Sequence, residues 1–210
     1  RVTIAGETLN ATGVLAEMTR LKQFASSDGE VVNGNYRPTL PSNKFNWLVQ
    51  FLEERGLEPN GELSDDVRKV VVASQFTQLI KMWQEALNDK GIMAYALTGE
   101  TKDRDRANMV DAFQRHDNVR VFLINTTAGG VSITLDAADD IILMDETWVP
   151  DDQIQVEDRV HRASNVTHQV DVWYVRTKDS IEESIAAATE GKAEANHIVL
   201  DAERGLKFAR

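Results

Sequence analysis

One short stretch organises the chain, and it reads Gln155-Val156-Glu157-Asp158-Arg159-Val160-His161-Arg162. An α-helix advances by about 100° per residue, so positions four and seven residues after Gln155 return to within about 40° of it. The spacing therefore predicts that Gln155, Arg159 and Arg162 share one face of a helix. Two guanidinium groups on one exposed face repel each other unless an anion lies between them. The alternative is a solvated face on which neighbouring acidic residues form weak ion pairs with the arginines.

The composition limits the class of the chain. Its 210 residues, with 42% hydrophobic content, can bury one sizeable core and a small appended unit. It holds no cysteine, which excludes disulfides and thiolate metal sites and is compatible with a reducing compartment. No apolar run is long enough to span a bilayer, and no signal-peptide pattern opens the chain. Because the first residue is Arg1 and not methionine, the chain is expected to be a piece of a longer polypeptide.

The net charge of −11 bears on the partners of the chain. A phosphate backbone repels so acidic a domain unless basic side chains and backbone N–H groups are concentrated at one place. Strong autonomous binding to nucleic acid is therefore not expected, although a local phosphate-binding edge is compatible with this charge.

Strands and helices alternate on both sides of the arginine stretch. Apolar, β-branched runs predict strands at residues 69–73, 92–97, 119–124, 140–144 and 170–175. Helical patterns lie at 76–90 and 103–115, and the second helix is expected to turn Ala107, Val110 and Phe113 inward. Asp179 and Glu182 predict a capping box for a further helix beginning near Ser180. This alternation predicts an α/β fold, a doubly wound parallel sheet with helices on both faces.

A helical lead-in is predicted before this alternating region. Residues 1–26 form it, with an apolar face at helical spacing made by Leu15, Met18, Leu21 and Phe24. The composition of residues 27–41 is typical of a loop, and Ser42 can cap the next helix, which ends near Gly56. The predicted domains are therefore a lead-in and loop at 1–41, a main domain at 42–190 and a helical C-terminal tail at 191–210.

Three turns after predicted strands carry hydroxyl, amide or glycine groups. Parallel sheets of this class bind ligands at the carboxyl ends of their strands, and small residues there let backbone N–H groups approach a phosphate. Ordinary helix capping is the alternative explanation for each turn taken alone. Together, beside a helix with two arginines, they predict an edge that binds phosphates. The turns are Ser74-Gln75, Thr98-Gly99-Glu100-Thr101 and Asn125-Thr126-Thr127-Ala128-Gly129-Gly130.

No metal site is predicted. Asp145-Glu146 follows an apolar strand in the manner of a magnesium-binding pair, but that role requires an upstream phosphate loop. No G-x-x-x-x-G-K-[ST] pattern occurs in the chain, and its four histidines show no ligand spacing. Asp145 is therefore not expected to bind a metal ion.

The order of these segments resembles the second RecA-like lobe of superfamily 2 helicases, specifically the SWI/SNF-type DNA translocases. The similarity covers residues 42–185. Residues 70–76 resemble motif IV of that family, residues 126–131 motif V and residues 155–162 motif VI. The chain departs from the family pattern at Ser132, Thr134, Val149 and residues 163–165. These departures concern the coupling details and the subfamily, whereas both arginines are in place.

The resemblance implies a role for each candidate residue. Arg159 and Arg162 would be catalytic arginine fingers that reach the γ-phosphate of ATP, with Gln155 beside them. ATP and Mg²⁺ would be bound mainly by the first lobe of the same polypeptide, and the main partner would be DNA, as a duplex. Trp148 would couple the two sites, and the protein would work inside the cell with DNA, in cytoplasm, nucleoid or nucleus. The residues implied to touch DNA phosphates are Ser74, Gln75, Thr98, Gly99, Thr126 and Thr127.

The predicted function is thus the C-terminal lobe of an ATP-dependent DNA translocase, inactive as an isolated fragment. Two alternatives stay open. One is a strand-separating helicase or a restriction or repair motor with the same lobe. The other is a non-catalytic α/β module that binds nucleic acid without using ATP. A phosphate loop and an Asp-Glu box upstream in the parent polypeptide would favour a motor, and their absence would favour the binding module.

Overall fold

A five-stranded parallel sheet forms the centre of the chain. The computed structural model describes residues 3–4, 7–8, 13–57, 68–126, 133–148 and 169–190. The sheet has the order β6-β7-β5-β8-β9. Its strands are β5 (Val70–Ser74), β6 (Ala94–Leu97), β7 (Val121–Asn125), β8 (Asp140–Leu143) and β9 (Asp171–Tyr174).

Alternate residues of these strands face two separate cores. Val70 and Val72 pack in one hydrophobic cluster with the helices α2 (Asn43–Glu54) and α3 (Thr77–Asp89). Val71 and Ala73 pack in a second cluster with α4 (Asp103–Arg115). Because successive side chains of a strand point to opposite faces, a sheet buried on both sides needs helices on both sides. The predicted doubly wound fold with helices on both faces is therefore confirmed.

The helices form largely where the apolar spacing predicts them. Ser42 caps α2 and accepts a hydrogen bond from the Phe45 backbone N–H at 3.4 Å. In α4 the predicted inward position of Ala107 is wrong, because Ala107 is exposed and Arg106 is buried. The guanidinium of Arg106 donates to the Thr101 carbonyl oxygen at 3.0 Å, so a polar contact turns this face of the helix inward.

The lead-in contains the predicted helix, α1 (Val14–Ser26), but its predicted apolar face is wrong in part. Leu15 is 82% exposed and Leu21 is 45% exposed, whereas Lys22 and Ala25 are buried. The helix contacts the domain through its C-terminal half, where Phe24 packs against the cluster of Val31 and Tyr36, so only part of the predicted apolar face is used. The helical prediction for residues 1–26 is wrong at its start, because two short strands that pair with each other, β1 (Thr3–Ile4) and β2 (Glu7–Thr8), precede the helix.

The loop predicted at 27–41 is wrong over most of its length. Two antiparallel strands, β3 (Gly29–Val32) and β4 (Asn35–Pro38), form a hairpin there. Asn33 and Gly34 both have positive φ, 52° and 74°, as the two central residues of a tight hairpin turn require. An Asn-Gly dipeptide between two short runs of alternating apolar and polar residues predicts such a turn. The sequence therefore contained a hairpin signal, although the polar composition of residues 27–41 is typical of a loop.

The helix near Ser180 is present at residues 181–190, here called α5, but the predicted capping box is wrong. Ser180 Oγ, and not Asp179, accepts from the Glu182 backbone N–H at 3.2 Å. The Glu182 carboxylate is buried and accepts from the Thr177 backbone N–H at 2.8 Å. No helix within the described residues is long and apolar enough to span a membrane. The predicted tail at 191–210 lies outside the described residues, and the predicted domain boundaries stay predictions.

Candidate nucleic-acid and nucleotide interface

The carboxyl ends of the central strands lie side by side at one edge of the sheet. In the parallel register Ser74 pairs with Asn125, Leu97 with Ile124 and Ala73 with Leu143. The turns that follow β6, β7, β5 and β8 are therefore neighbours in that order. This edge is where ligands bind in open α/β sheets.

The turn after β6 is held by its own hydroxyl groups and by Arg106. Thr101 Oγ1 accepts from the Thr98 backbone N–H at 3.0 Å, and Thr98 Oγ1 accepts from the Glu100 backbone N–H at 3.3 Å. Gly99 lies at the exposed tip, and a Cβ built there would meet no atom within 4 Å. The backbone at Gly99 is thus accessible, and the hydrogen bonds of Thr98 and Thr101 fix the conformation of the turn around it.

The charges beside this tip nearly balance. Glu100 is 72% exposed, and its Oε2 lies 2.6 Å from the Nζ of Lys81 on α3. Lys102 and Arg104 are exposed at the start of α4, whereas Arg106 is buried beneath the turn. The exposed cations available to a phosphate near Gly99 are thus opposed by Glu100 and by the exposed Asp103 and Asp105 in the first turn of α4.

The turn after β5 is hydrogen-bonded to a buried carboxylate, that of Asp145. Ser74 is fully buried, and its Oγ donates to Asp145 Oδ2 at 2.5 Å. The Gln75 backbone N–H also donates to Asp145, at 3.1 and 3.2 Å to its two oxygens. The direct phosphate contact predicted for Ser74 has no accessible atom in this arrangement. Its side chain instead joins the end of β5 to the turn after β8.

The turn after β7 is tied to the same place. Asn125 Nδ2 donates to the Gln75 carbonyl oxygen and to Thr77 Oγ1, each at 3.0 Å. The half-buried Thr126 donates its backbone N–H to the Ser74 carbonyl oxygen at 3.0 Å. Thr127 lies outside the described residues. The ends of β5 and β7 therefore form one hydrogen-bonded unit.

Comparison with known proteins assigns this architecture. The helicase conserved C-terminal domain family matches residues 43–164, more than half of the chain. The chain belongs to the helicase C-terminal domain family.

Relatives and a solved structure agree with this assignment. The chromatin-remodeling ATPase INO80 of Emericella nidulans is 36% identical over 149 residues, which are 70% of this chain and 9% of that protein. The ATP-dependent helicase fft1 of Schizosaccharomyces pombe is 34% identical over 149 residues, which are 71% of this chain and 15% of that protein. The crystal structure of the C-terminal part of the Fun30 ATPase domain matches with a TM-score of 0.62 and 30% identity, covering 71% of this chain and 46% of that one. The resemblance to the second RecA-like lobe of SWI/SNF-type enzymes is thereby confirmed.

In this helicase C-terminal domain the arginine stretch is not among the described residues. Gln155, Arg159 and Arg162 all lie in the undescribed range 149–168. Trp148 is half-buried at the end of the segment that leads to them. The roles of these four residues therefore stay predictions.

Asp145 is the acidic centre of the described edge of the helicase C-terminal domain. Burial raises the pKa of its carboxyl group, and the hydrogen bond from Ser74 and the positive charges of Lys22 and Lys44 oppose that rise. Its oxygens are occupied by protein donors. Among the described residues no group of three or more His, Cys, Asp or Glu side chains could hold a metal ion.

Two buried or half-buried ion pairs of the helicase C-terminal domain were missed by the sequence reasoning. Lys44 Nζ lies 2.7 Å from Glu182 Oε1 and also donates to the carbonyl oxygens of Met144 and Val175, at 2.5 and 3.0 Å. Arg176 Nε lies 2.5 Å from Glu146 Oε1. No local pattern distinguishes these cations from solvated ones, because their partners are distant in the sequence.

Proposed function

We propose that this chain is the C-terminal motor lobe of an ATP-dependent DNA translocase. One observation carries the proposal: in a helicase C-terminal domain, the turns after β5, β6 and β7 lie together at one edge of the sheet. The open space at the tip of the turn after β6, where a Cβ at Gly99 would meet no atom within 4 Å, lets a phosphate approach the backbone there. Because the chain spans 9% and 15% of the two curated relatives, the activity of the whole protein is part of the proposal.

On the nucleotide side, Arg159 and Arg162 serve as arginine fingers and Gln155 lies beside them. A planar guanidinium can stabilise the charge that spreads over the phosphoryl oxygens during transfer. ATP and Mg²⁺ are held mainly by the first lobe, since this chain has no phosphate-loop pattern. The names of the relatives, a chromatin-remodeling ATPase and an ATP-dependent helicase, support the use of ATP.

On the nucleic-acid side, we assign phosphate contacts to the exposed parts of the edge. The direct contacts predicted for Ser74, Gln75 and Thr98 are not part of this proposal. Ser74 and Thr98 are 0% and 3% exposed, and the polar groups of Gln75 bond to other parts of the protein, so these three residues hold the turns in place. The net charge of −11 requires that such contacts be local. The residues proposed to touch one strand of a DNA duplex are Gly99, Thr126 and Thr127, and Trp148 is proposed to couple this edge to the nucleotide side.

The proposal is tested on the full-length protein. ATP hydrolysis should be stimulated by duplex DNA, and the protein should displace a third strand from a triplex without separating the duplex. Separation of the duplex would favour the strand-separating alternative, and the absence of ATP hydrolysis would favour the binding module. Among the compartments compatible with the sequence, the nucleus is supported by the relatives named for chromatin remodelling.

The isolated chain should not hydrolyse ATP. Arginine fingers stabilise a transferring phosphoryl group only when a triphosphate is bound, and this chain lacks a phosphate loop. The measurement is phosphate release by the purified chain, with and without duplex DNA. DNA-stimulated release that is lost in the Arg162→Ala variant would contradict the prediction.

Gly99→Asp should weaken duplex DNA binding without lowering the melting temperature. A side chain at this position meets open space, so the substitution adds a negative charge to the proposed contact surface at little structural cost. We expect about a tenfold rise in Kd at low salt and a smaller rise at high salt, because phosphate contacts are screened by ions.

Gly99→Ala is the matched control for this experiment, because it adds the Cβ without the charge. It should bind DNA nearly as the unchanged protein does. Equal affinities for the alanine and aspartate variants at low salt would show that the tip of this turn does not lie near a phosphate.

A further inference from the structure

Lys22 is buried although it belongs to the lead-in helix. Only 4% of the residue is exposed, and its Nζ donates to Gln75 Oε1 at 2.8 Å. Burial lowers the pKa of Lys22, and three carboxylates oppose that change, those of Asp145, Glu182 and Glu146. An ammonium group removed from water is unfavourable unless it is paired and hydrogen-bonded. A methionine would fill the same space without that cost, so packing alone does not account for the lysine.

Gln75, the partner of Lys22, connects three turns of the ligand-binding edge. Its side-chain Nε2 donates to the Glu146 carbonyl oxygen at 2.8 Å, in the turn after β8. Its backbone N–H donates to Asp145, and its carbonyl oxygen accepts from Asn125 Nδ2. The side chain of Gln75 thus joins Lys22 to the turn after β8, and its backbone joins that turn to the end of β7. Gln75 is therefore the residue through which Lys22 is connected to both neighbouring turns.

These two turns lead toward the two proposed sites. Asp145 and Glu146 begin the segment that runs to Trp148 and onward in sequence to the arginine stretch. Asn125 and Thr126 belong to the proposed phosphate-binding edge. Lys22 therefore contacts a residue that is bonded both to the segment continuing in sequence toward the arginine stretch and to the end of β7.

The lead-in helix is positioned to hold this junction in place. Its C-terminal half is attached by the bond from Lys22 and by Thr177 Oγ1, which donates to the Ala25 carbonyl oxygen at 2.7 Å. Phe24 packs edge-on against Tyr36 of the hairpin with ring centroids 4.7 Å apart. The lead-in is thus anchored to the domain by polar contacts and buttressed by the hairpin.

We propose that Lys22 is a positioning residue that couples DNA binding to ATP hydrolysis by fixing Gln75 between the two turns. This inference rests on the proposed function. Lys22 touches neither ATP nor DNA in this scheme, and it acts through the orientation of Gln75. Coupling between two sites typically changes the response by about 5- to 150-fold.

The test compares ATP turnover with and without duplex DNA in the full-length protein. Lys22→Met keeps the length of the side chain but removes the donor to Gln75. We expect the stimulation by DNA to fall about tenfold, with DNA-free turnover, the KM for ATP and the Kd for DNA unchanged. Lys22→Arg retains donors and should recover most of the stimulation.

Arg20→Met is the matched control, because Arg20 Nη1 donates only to Gln23 Oε1 of the same helix, at 2.8 Å, among the hydrogen bonds described here. It should leave the stimulation unchanged. If Lys22→Met does not fold, Lys22→Leu, which also removes the donor, is assayed in its place at a lower temperature at which it is folded.

Two outcomes overturn the inference. One is full stimulation in the folded variant without the lysine. The other is an equal loss of DNA-free turnover, DNA-stimulated turnover and DNA binding that matches the fall in the fraction of folded protein. That outcome would mean that Lys22 only stabilises the fold. Absence of DNA stimulation in the unsubstituted protein would instead refute the proposed function, and this inference with it.

Discussion

Replacing Arg159 or Arg162 by alanine in the full-length protein is expected to reduce ATP turnover by about 10³- to 10⁵-fold. The charge that an arginine finger stabilises develops only in the transition state, so its loss affects turnover far more than substrate binding. DNA affinity should stay nearly unchanged, because the proposed phosphate contacts belong to the turns after β6 and β7. Turnover and DNA affinity are measured on the same preparations.

Lysine at either position is the informative control. An ammonium group retains the charge but cannot reproduce the planar fork of donors, so Arg→Lys should recover little of the turnover. If these arginines only stabilise the fold, the alanine variants will instead melt at lower temperature. Their turnover number per folded molecule will then match that of the unchanged protein, and the proposed catalytic role fails.

Lys44→Met is expected to lower the free energy of unfolding by about 3–5 kcal/mol. Lys44 and Glu182 are 4% and 0% exposed, and removing the cation leaves a buried carboxylate without its ion-pair partner. Urea denaturation measures the change. Lys81→Met, at the exposed pair with Glu100, is the matched control and should cost about 1 kcal/mol or less.

The loss in Lys44→Met should also depend on pH. Burial raises the pKa of the Glu182 carboxyl, and Lys44 is the largest influence opposing that rise. Without Lys44 the folded-state pKa rises further above the unfolded value. The loss of unfolding free energy in Lys44→Met should therefore be smallest below the pKa that Glu182 has in the unfolded chain, where its carboxyl is protonated in both the folded and the unfolded state. The loss should grow as pH rises through the pKa that Glu182 has in the folded protein. Lys44→Met/Glu182→Gln should recover part of the loss. A deficit that is independent of pH would indicate lost packing and not an unpaired carboxylate.

Local patterns predicted much of this fold. The helix predicted at 103–115 has those bounds, and the strand predicted at 140–144 is found at Asp140–Leu143. Ser42 caps its helix as expected. The hairpin at 29–38 was missed although Asn33-Gly34 is a turn signal, because the polar composition around it was given more weight. In α1 the periodicity identified a helix but not its buried face, since Leu15 is exposed and Lys22 is buried.

The candidate site likewise has features that the sequence predicted and features that it did not. The turns that bear Thr98, Gly99 and Thr126 could be chosen from the sequence, because strand ends and small residues are local features. The inward role of Ser74 could not, because its partner Asp145 lies 71 residues away. Arg106 was missed for a different reason: its partner Thr101 is close in the sequence, but apolar spacing selected Ala107 for the buried face of the helix.

By itself the sequence determined the order of the strands and helices of the parallel sheet, the α/β class and the family resemblance. Each of these depends on the periodicity of apolar residues and on short motifs, which are properties of neighbouring positions. Only the tertiary structure decided which charged and polar side chains are buried together. Lys22 meets Gln75 across 53 residues and Lys44 meets Glu182 across 138. A lysine with a buried partner and a lysine in water have the same local sequence signature, and only chain folding brings the partner within hydrogen-bonding distance.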